Sequence, residues 1–217
     1  QLFASRGYAV LQVNFRGSGG YGKAFQDAGH GQWGDGIQND IIDATRWVIQ
    51  QGHADPERIC IYGGSFGGYS SLMAPIREPG LFKCTFGYVG VYDIDMMFKL
   101  GDIPQSESGQ RFLRRTHGTK KLDWTRNSPA QRAAEVKIPV YLAAGARDVR
   151  TPPEQTELME KALREAGNPP EGVIIQSGEM HGFYDVDNRV KLYTEMLKFF
   201  DRHIGNSVTV QPIVPAQ

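Results

Sequence analysis

Alternating apolar and polar positions predict short strands separated by helices along most of the chain. Five apolar runs have the length of buried strands, and the segments between them carry helical spacing or turn residues. The predicted strands cover residues 8–13, 59–62, 83–89, 139–144 and 172–176. Because strands that alternate with helices favour a parallel sheet covered on both faces, we predict a doubly wound, mostly parallel α/β fold.

Three longer segments show apolar residues at helical spacing, and glycines follow two of them as stop signals. These predicted helices cover residues 36–50, 153–166 and 186–204. The polar stretch 101–132 has little strand pattern, so we interpret it as an irregular excursion with short helices. We predict one domain over residues 1–204 and a weakly ordered tail over residues 205–217.

The sharpest motif follows the second predicted strand and reads Gly63-Gly-Ser-Phe-Gly67. A G-x-S-x-G turn between a strand and a helix is typical of a nucleophile elbow. Such a turn would present the Ser65 hydroxyl at the carboxyl end of the strand and aim the Phe66 N–H at a developing oxyanion. The alternative is a glycine-rich turn that cradles a phosphate, but no Lys-Ser/Thr follows, which excludes a P-loop.

A serine nucleophile needs a base, and the base needs an acid to orient it. Asp148 and His181 each lie in a loop after a predicted strand, and they follow the serine in the order typical of α/β-hydrolases. Alternative roles are a helix cap for the aspartate and a surface position for the histidine. Rival acids are Asp93, Asp95 and Glu179, the last being too close in sequence to the histidine to orient it easily.

Composition changes this picture little. The net formal charge of zero gives no reason to expect a nucleic-acid or membrane-surface partner, and no run of about 18 apolar residues predicts a membrane span. The histidines and cysteines lack metal-ligand spacing, so we predict neither a metal nor a cofactor. Cys60 and Cys84 lie in apolar strand-like runs, which favours two buried free thiols over a disulfide.

Four motifs in order resemble the prolyl oligopeptidase family of serine peptidases, which includes dipeptidyl and acylaminoacyl peptidases. They are the serine turn 63–69, the glycine-rich loop 14–22, the Asp148 loop with Pro152 and Gln155, and Met180-His-Gly-Phe183. The resemblance covers about residues 1–204. One departure is Ala144-Gly-Ala-Arg-Asp148, where relatives often read His-Gly-x-x-Asp, and we expect it to affect only the hydrogen bonding of that loop.

The resemblance implies an α/β-hydrolase catalytic domain that acts on peptide substrates. Ser65 would be the nucleophile, His181 the base and Asp148 the acid that orients it. An acyl-enzyme would form on the serine, and the Phe66 N–H would donate to the oxyanion. Two alternatives remain open: a carboxylesterase or lipase of the same fold, and a hydrolase-fold protein that binds partners without catalysis.

The resemblance also implies substrate-binding positions. Arg150, two residues after the acid, matches a position that binds a substrate carbonyl, and the alternative is a solvated loop arginine. Tyr92 matches an aromatic residue that walls the pocket for the residue before the cut, with Met96 and Phe66 as neighbours. For these three the alternative is ordinary core packing.

Family members carry a β-propeller and further strands ahead of this region, and those strands supply a second oxyanion donor. We therefore expect an N-terminally truncated catalytic domain whose partner is the β-propeller of a longer parent chain. The 217-residue chain alone is expected to be inactive or nearly so. The predicted edge strand 8–13 would also favour self-association into a homo-oligomer.

Overall fold

The computed structural model describes residues 1–205, and within them four strands form one parallel sheet. The strands lie side by side in chain order: β1 (Cys60–Gly64), β2 (Cys84–Tyr88), β3 (Val140–Gly145) and β4 (Gly172–Gln176). Each neighbouring pair is parallel. Since parallel strands require crossover connections that carry helices, the predicted α/β class is confirmed.

Nine α-helices and two 3₁₀ segments connect and flank these strands in the described residues. The helices are α1 (Leu2–Ser5), α2 (Lys23–Asp27), α3 (Gly36–Gln50), α4 (Phe66–Arg77), α5 (Ile94–Met97), α6 (Glu107–His117), α7 (Lys121–Arg126), α8 (Pro153–Glu165) and α9 (Val186–Ile204). The 3₁₀ segments are Ile103–Gln105 and Pro129–Glu135. The three long helices lie where the periodicity predicts them, and stretch 101–132 contains the short helices expected there.

The core has two layers because successive side chains of β3 point to opposite faces of the sheet. Leu142 packs with Leu72 of α4 and Met159 of α8 on one face. On the other face, Tyr141 stacks on Phe86 of β2 at a ring-centroid distance of 4.9 Å, under α9. Helices therefore cover both faces, as the doubly wound prediction requires.

The predicted strand 8–13 is not a strand in the structure. This segment borders an open cleft of about 1000 Å³, whose other walls come from β1, α3 and α9. Val10 and Leu11 remain 54% and 46% exposed beside it. A strand-like sequence becomes a strand only when a neighbour accepts and donates its backbone hydrogen bonds, and no strand pairs with this segment among the described residues.

The prediction of free thiols is wrong, because the structure joins Cys60 to Cys84 in a disulfide. The two residues are direct register partners on β1 and β2, with their Cα atoms 4.7 Å apart. That spacing lies in the range that a disulfide spans. Their separation of 24 residues in sequence does not reveal this register.

Other expectations fall partly outside the described residues. The predicted tail 205–217 lies almost wholly beyond Gly205, and the division between domain and tail stays a prediction. No helix within residues 1–205 is long and apolar enough to cross a membrane. The same residues contain no cluster of three or more His, Cys, Asp or Glu able to hold a metal ion.

The disulfide predicts a stability that depends on reductant. A cross-link that closes a loop of 24 residues stabilises the fold by roughly 3 kcal/mol in the chain-entropy account. Dithiothreitol should lower the free energy of unfolding of the wild-type chain by this amount, which a lower urea midpoint would show. The Cys60→Ala/Cys84→Ala double variant is the control, and reductant should leave its midpoint unchanged. Two titratable thiols in the untreated wild-type chain would contradict this assignment.

Self-association through residues 8–13 is a second prediction, because Val10 and Leu11 leave apolar surface exposed beside the cleft. A lysine would place a charge in that contact, so Leu11→Lys should raise the concentration for half-association about tenfold or more. Sedimentation velocity across a concentration series measures this. Leu122→Lys, at an 80% exposed position of α7 away from the cleft, is the matched control. A monomer at all concentrations, or an equal effect of both variants, would refute the prediction.

Candidate active site

Ser65 lies in a strained turn between β1 and α4. Its φ of 57° is in the left-handed region that non-glycine residues seldom adopt. Two backbone hydrogen bonds hold the turn: Ser65 N–H donates to the Tyr88 carbonyl at 2.9 Å, and Tyr69 N–H donates to the Ser65 carbonyl at 3.1 Å. The predicted sharp turn of strand, serine and helix is therefore present in the structure.

Close backbone contacts explain the glycines around this turn. A Cβ atom on Gly63 would lie 2.5 Å from the carbonyl carbon of Gly67, and one on Gly68 would lie 2.7 Å from the Cα atom of Gly90. Real Cβ atoms do not approach backbone atoms so closely. Side chains at Gly63 and Gly68 would consequently force α4 away from the ends of β1 and β2.

The structure brings Ser65, His181 and Asp148 together in one hydrogen-bonded chain. His181 Nε2 lies 2.9 Å from Ser65 Oγ, and His181 Nδ1 lies 2.8 Å from Asp148 Oδ2. An ionised carboxylate can only accept, so Nδ1 carries the proton and Nε2 is left to accept from the serine hydroxyl. The three residues follow β1, β4 and β3, whose carboxyl ends share one edge of the sheet.

Asp148 is buried, and its carboxylate is the acceptor in each of its described hydrogen bonds. Oδ1 accepts from the N–H groups of Arg150 and Thr151 at 2.8 and 2.9 Å. Oδ2 accepts from His181 and lies 2.9 Å from the Thr151 hydroxyl oxygen. Burial acts to raise the pKa of Asp148, but hydrogen bonds from His181 and the two backbone N–H groups outweigh it and hold this pKa below its ordinary value.

Glu179 has a structural role that the sequence did not reveal. Its buried carboxylate accepts from the N–H groups of Tyr184 and Asp185 and from the side chain of Asn188, at 2.7, 3.1 and 2.7 Å. Burial opposes ionisation, but these bonds keep the pKa of Glu179 below its usual value. Glu179 therefore fastens the loop of His181 to the start of α9 instead of orienting the histidine. The sequence signal for this role was the position of Glu179 shortly before a predicted helix, where free N–H groups need an acceptor.

Phe66 is the first residue of α4, so its N–H has no acceptor within the helix. The Phe66 ring packs against Phe15 and Trp33 at centroid distances of 5.2 and 4.6 Å. These contacts place the glycine-rich loop 14–22 beside the serine turn, which sequence reasoning did not anticipate. Arg16 fixes the same loop through two hydrogen bonds from its guanidinium to the Asp40 carboxylate, at 2.6 and 2.8 Å.

The three residues expected to bind substrate have different surroundings. Tyr92 is fully buried in the core, as its core-packing alternative describes. Met96 is half-buried in α5, where its N–H donates to the Asp93 carboxylate. Arg150 is 53% exposed and pairs with Asp102, which accepts from Nε and Nη2 at 3.1 and 2.8 Å.

Comparison with known proteins agrees with this geometry. The model of the family described as "Prolyl oligopeptidase family" matches residues 1–207 of this chain. Dipeptidyl aminopeptidase BIII of Pseudoxanthomonas mexicana is 33% identical over 204 residues, which cover 87% of this chain and 28% of that protein. Acylamino-acid-releasing enzyme 1 of Oryza sativa subsp. japonica is 26% identical over 209 residues, which cover 93% of this chain and 27% of that enzyme.

Solved structures agree as well. An acylaminoacyl peptidase of Pyrococcus horikoshii superposes with a TM-score of 0.84 at 28% identity, covering 97% of this chain and 35% of that one. A puromycin-hydrolyzing peptidase of Mycobacterium tuberculosis gives a TM-score of 0.83 at 29% identity, covering 91% of this chain and 30% of that one. The chain thus spans about a third or less of the length of these relatives.

The match over 207 residues confirms the resemblance that the motifs indicate, and the superpositions confirm the α/β-hydrolase fold. On both grounds, this chain belongs to the prolyl oligopeptidase family of serine peptidases and covers the region of its catalytic domain.

Proposed function

We propose that the protein hydrolyses short peptides through an acyl-enzyme on Ser65, with His181 as the base and Asp148 as the acid that orients it. The observation that carries this proposal is the unbroken hydrogen-bonded chain from the serine hydroxyl to the buried carboxylate. Its support is geometric: the acceptor nitrogen lies within 2.9 Å of the oxygen that must lose its proton.

In the first half-reaction, Ser65 Oγ attacks the carbonyl carbon of the substrate while His181 Nε2 takes the hydroxyl proton. The imidazolium that forms is stabilised by the ionised Asp148 through the Nδ1–H hydrogen bond. The oxyanion lies next to the N–H of Phe66, at the positive end of the α4 dipole. The C–N bond then breaks, and the leaving amine takes the proton from Nε2.

In the second half-reaction, water replaces the amine and His181 Nε2 removes one of its protons. The resulting hydroxide attacks the acyl carbon, and a second tetrahedral intermediate forms at the same site. Its collapse breaks the ester bond, returns the proton to Ser65 Oγ and releases a carboxylic acid. The enzyme is thereby restored without any cofactor.

For substrate contacts, we propose that Arg150 donates to a carbonyl of the bound peptide. Asp102 accepts from Nε and Nη2, which orients the guanidinium and leaves Nη1 for the substrate. Met96 remains a proposed pocket neighbour, whereas the full burial of Tyr92 favours a packing role for that residue. The β-propeller of a longer parent chain is the proposed partner, since related proteins extend well beyond this region.

The substrate class rests on the names of the relatives. The relatives are called dipeptidyl aminopeptidase, acylamino-acid-releasing enzyme and puromycin-hydrolyzing peptidase, which favours a peptide or amide substrate for this chain. A carboxylesterase or lipase activity is the second candidate, because the same serine turn and residue order serve both. A non-catalytic binding role is the third.

A labelling experiment tests this function in the full-length protein that carries this chain. A fluorophosphonate probe should label the protein, and Ser65→Ala should abolish both the label and the hydrolysis of dipeptide anilides. Ser108→Ala, on the exposed side of α6, is the matched control and should behave as wild type.

Each other outcome favours one alternative. Hydrolysis of nitrophenyl esters without any anilide hydrolysis would favour the esterase, and absence of labelling would favour the binding role. The 217-residue chain, assayed in parallel, should be about 10²–10³-fold slower or inactive if its second oxyanion donor lies elsewhere in the parent. Equal rates for chain and parent would contradict that expectation.

Asp148→Asn tests whether Asp148 is the acid that orients His181. An asparagine amide can donate to Nδ1 and so favour the tautomer with a proton on Nε2, which cannot accept from the serine. We expect kcat of the full-length protein to fall about 10³–10⁴-fold. Retention of more than about a tenth of wild-type kcat would exclude Asp148 as the orienting acid.

The same variant should change the acid stability of the chain. Because the folded pKa of Asp148 is depressed, its stabilisation is complete above the ordinary carboxyl pKa of about 4 and is lost as pH falls through the folded value. Thermal melts from pH 6 to pH 2 should therefore show a steeper loss in the wild type than in Asp148→Asn. Parallel curves would contradict the depressed pKa.

A further inference from the structure

Hydrogen bonds connect the carboxyl end of β2 to the three segments that carry Ser65, Asp148 and His181. The Tyr88 carbonyl accepts from Ser65 N–H at 2.9 Å, and the Tyr88 hydroxyl accepts from Phe183 N–H at 2.5 Å, two residues after the histidine. The next carbonyl, that of Val89, lies 2.8 Å from the Thr151 hydroxyl oxygen. Two adjacent residues that lie outside the hydrogen-bonded triad therefore contact the segments of all three of its members.

Val89 occupies a backbone conformation that its side chain opposes. Its φ is 43°, in the left-handed region, although it is β-branched and buried. Such a residue at positive φ is a genuine outlier, which persists only where surrounding contacts determine it. Here its N–H donates to the Ala143 carbonyl at 2.7 Å, and its carbonyl turns towards Thr151 in the acid loop.

The Thr151 hydroxyl lies at the junction of this strained peptide and the triad. Its oxygen is 2.8 Å from the Val89 carbonyl, 2.9 Å from Asp148 Oδ2 and 3.2 Å from His181 Nδ1, and the residue is 4% exposed. A hydroxyl has one proton and two lone pairs. It can donate to one of the two oxygens while a lone pair faces the Nδ1–H of the histidine.

This hydroxyl is not needed for the turn that contains it. The backbone N–H of Thr151 already bonds Asp148 Oδ1 at 2.9 Å, and any residue but proline could supply that bond. A valine would fill the same space and keep the backbone bond, but it would remove the hydroxyl that faces the Val89 carbonyl, Asp148 Oδ2 and His181 Nδ1. The hydroxyl therefore adds a link to Asp148 and His181 that the local fold does not require.

We infer that Thr151 is a positioning residue: its hydroxyl, which donates its one proton to Asp148 Oδ2 or to the Val89 carbonyl, holds the Asp148 carboxylate and the Nδ1–H tautomer of His181 beside the strained end of β2. The inference rests on the proposed function only for the roles given to the aspartate and the histidine. The geometric claim concerns which nitrogen of the ring carries the proton, and it can be measured without any turnover.

Nitrogen-15 NMR of the histidine rings in the 217-residue chain tests the inference near neutral pH, with His181→Gln assigning the relevant signals. The wild type should show the Nδ1–H tautomer and a low-field proton on Nδ1. In Thr151→Val the Asp148 carboxylate should be held less firmly against Nδ1, which should broaden or remove the low-field proton and admit the other tautomer. Thr151→Ser, which keeps the hydroxyl, should restore both signals.

Thermal melts of the same variants measure their stability, so that a loss of packing can be told apart from a change in the tautomer. A purely structural role predicts that Thr151→Val keeps the wild-type tautomer and the low-field proton whatever its stability, and that result would overturn the inference. Thr151→Ala makes the same comparison if the valine variant does not fold. Loss of the signals in Thr151→Ser would also overturn it.

Kinetics of the full-length protein supply the second readout. Loss of a hydrogen bond to a charged group should lower kcat about 10- to 100-fold in Thr151→Val with little change in KM, and Thr151→Ser should recover most of it. If no hydrolysis depends on Ser65, the proposed function fails, yet the NMR comparison still decides the role of Thr151. An unchanged kcat in Thr151→Val would count against positioning.

Discussion

The parallel direction of β1, β3 and β4 is the constraint on which the site depends. Because their carboxyl ends lie along one edge, the loops that follow them begin within reach of one another. Residues separated by 33 and 116 positions in the chain then meet through hydrogen bonds of 2.8 and 2.9 Å. An antiparallel strand at any of these positions would start its loop at the opposite edge.

Two buried carboxylates at this edge are kept ionised by the same kind of contact. Desolvation would favour the protonated forms of Asp148 and Glu179, but backbone and side-chain donors surround their oxygens. The first group accepts the hydrogen bond from His181 Nδ1, while the second holds the loop from which that ring projects. The histidine is thus fixed at both its side chain and its backbone.

Strain is concentrated beside the same edge. Ser65 and Val89 are the residues other than glycine that have positive φ angles in the described part of the chain. Ser65 N–H donates to the Tyr88 carbonyl, and the carbonyl of the next residue, Val89, lies within hydrogen-bonding distance of the Thr151 hydroxyl. Their contacts show how the fold holds unfavourable conformations where positions must be accurate.

How much the sequence predicts depends on whether the determining interaction is local. The turn around Ser65, the helices from helical spacing and the loop positions of Asp148 and His181 are visible because they follow from a few neighbouring residues or from chain order. The parallel sheet follows from the alternation of elements. Residues 8–13 have a strand pattern, but a strand also needs a hydrogen-bonded neighbour, which a pattern cannot supply.

The tertiary structure alone decided the interactions that join distant segments. The disulfide depends on the register of β1 against β2, and the burial of Tyr92 depends on how helices pack over the sheet. The roles of Glu179 and Thr151 depend on which donors and acceptors the loops bring within hydrogen-bonding distance. Sequence determines local conformation through propensity and periodicity, whereas these contacts arise only when the whole chain has packed.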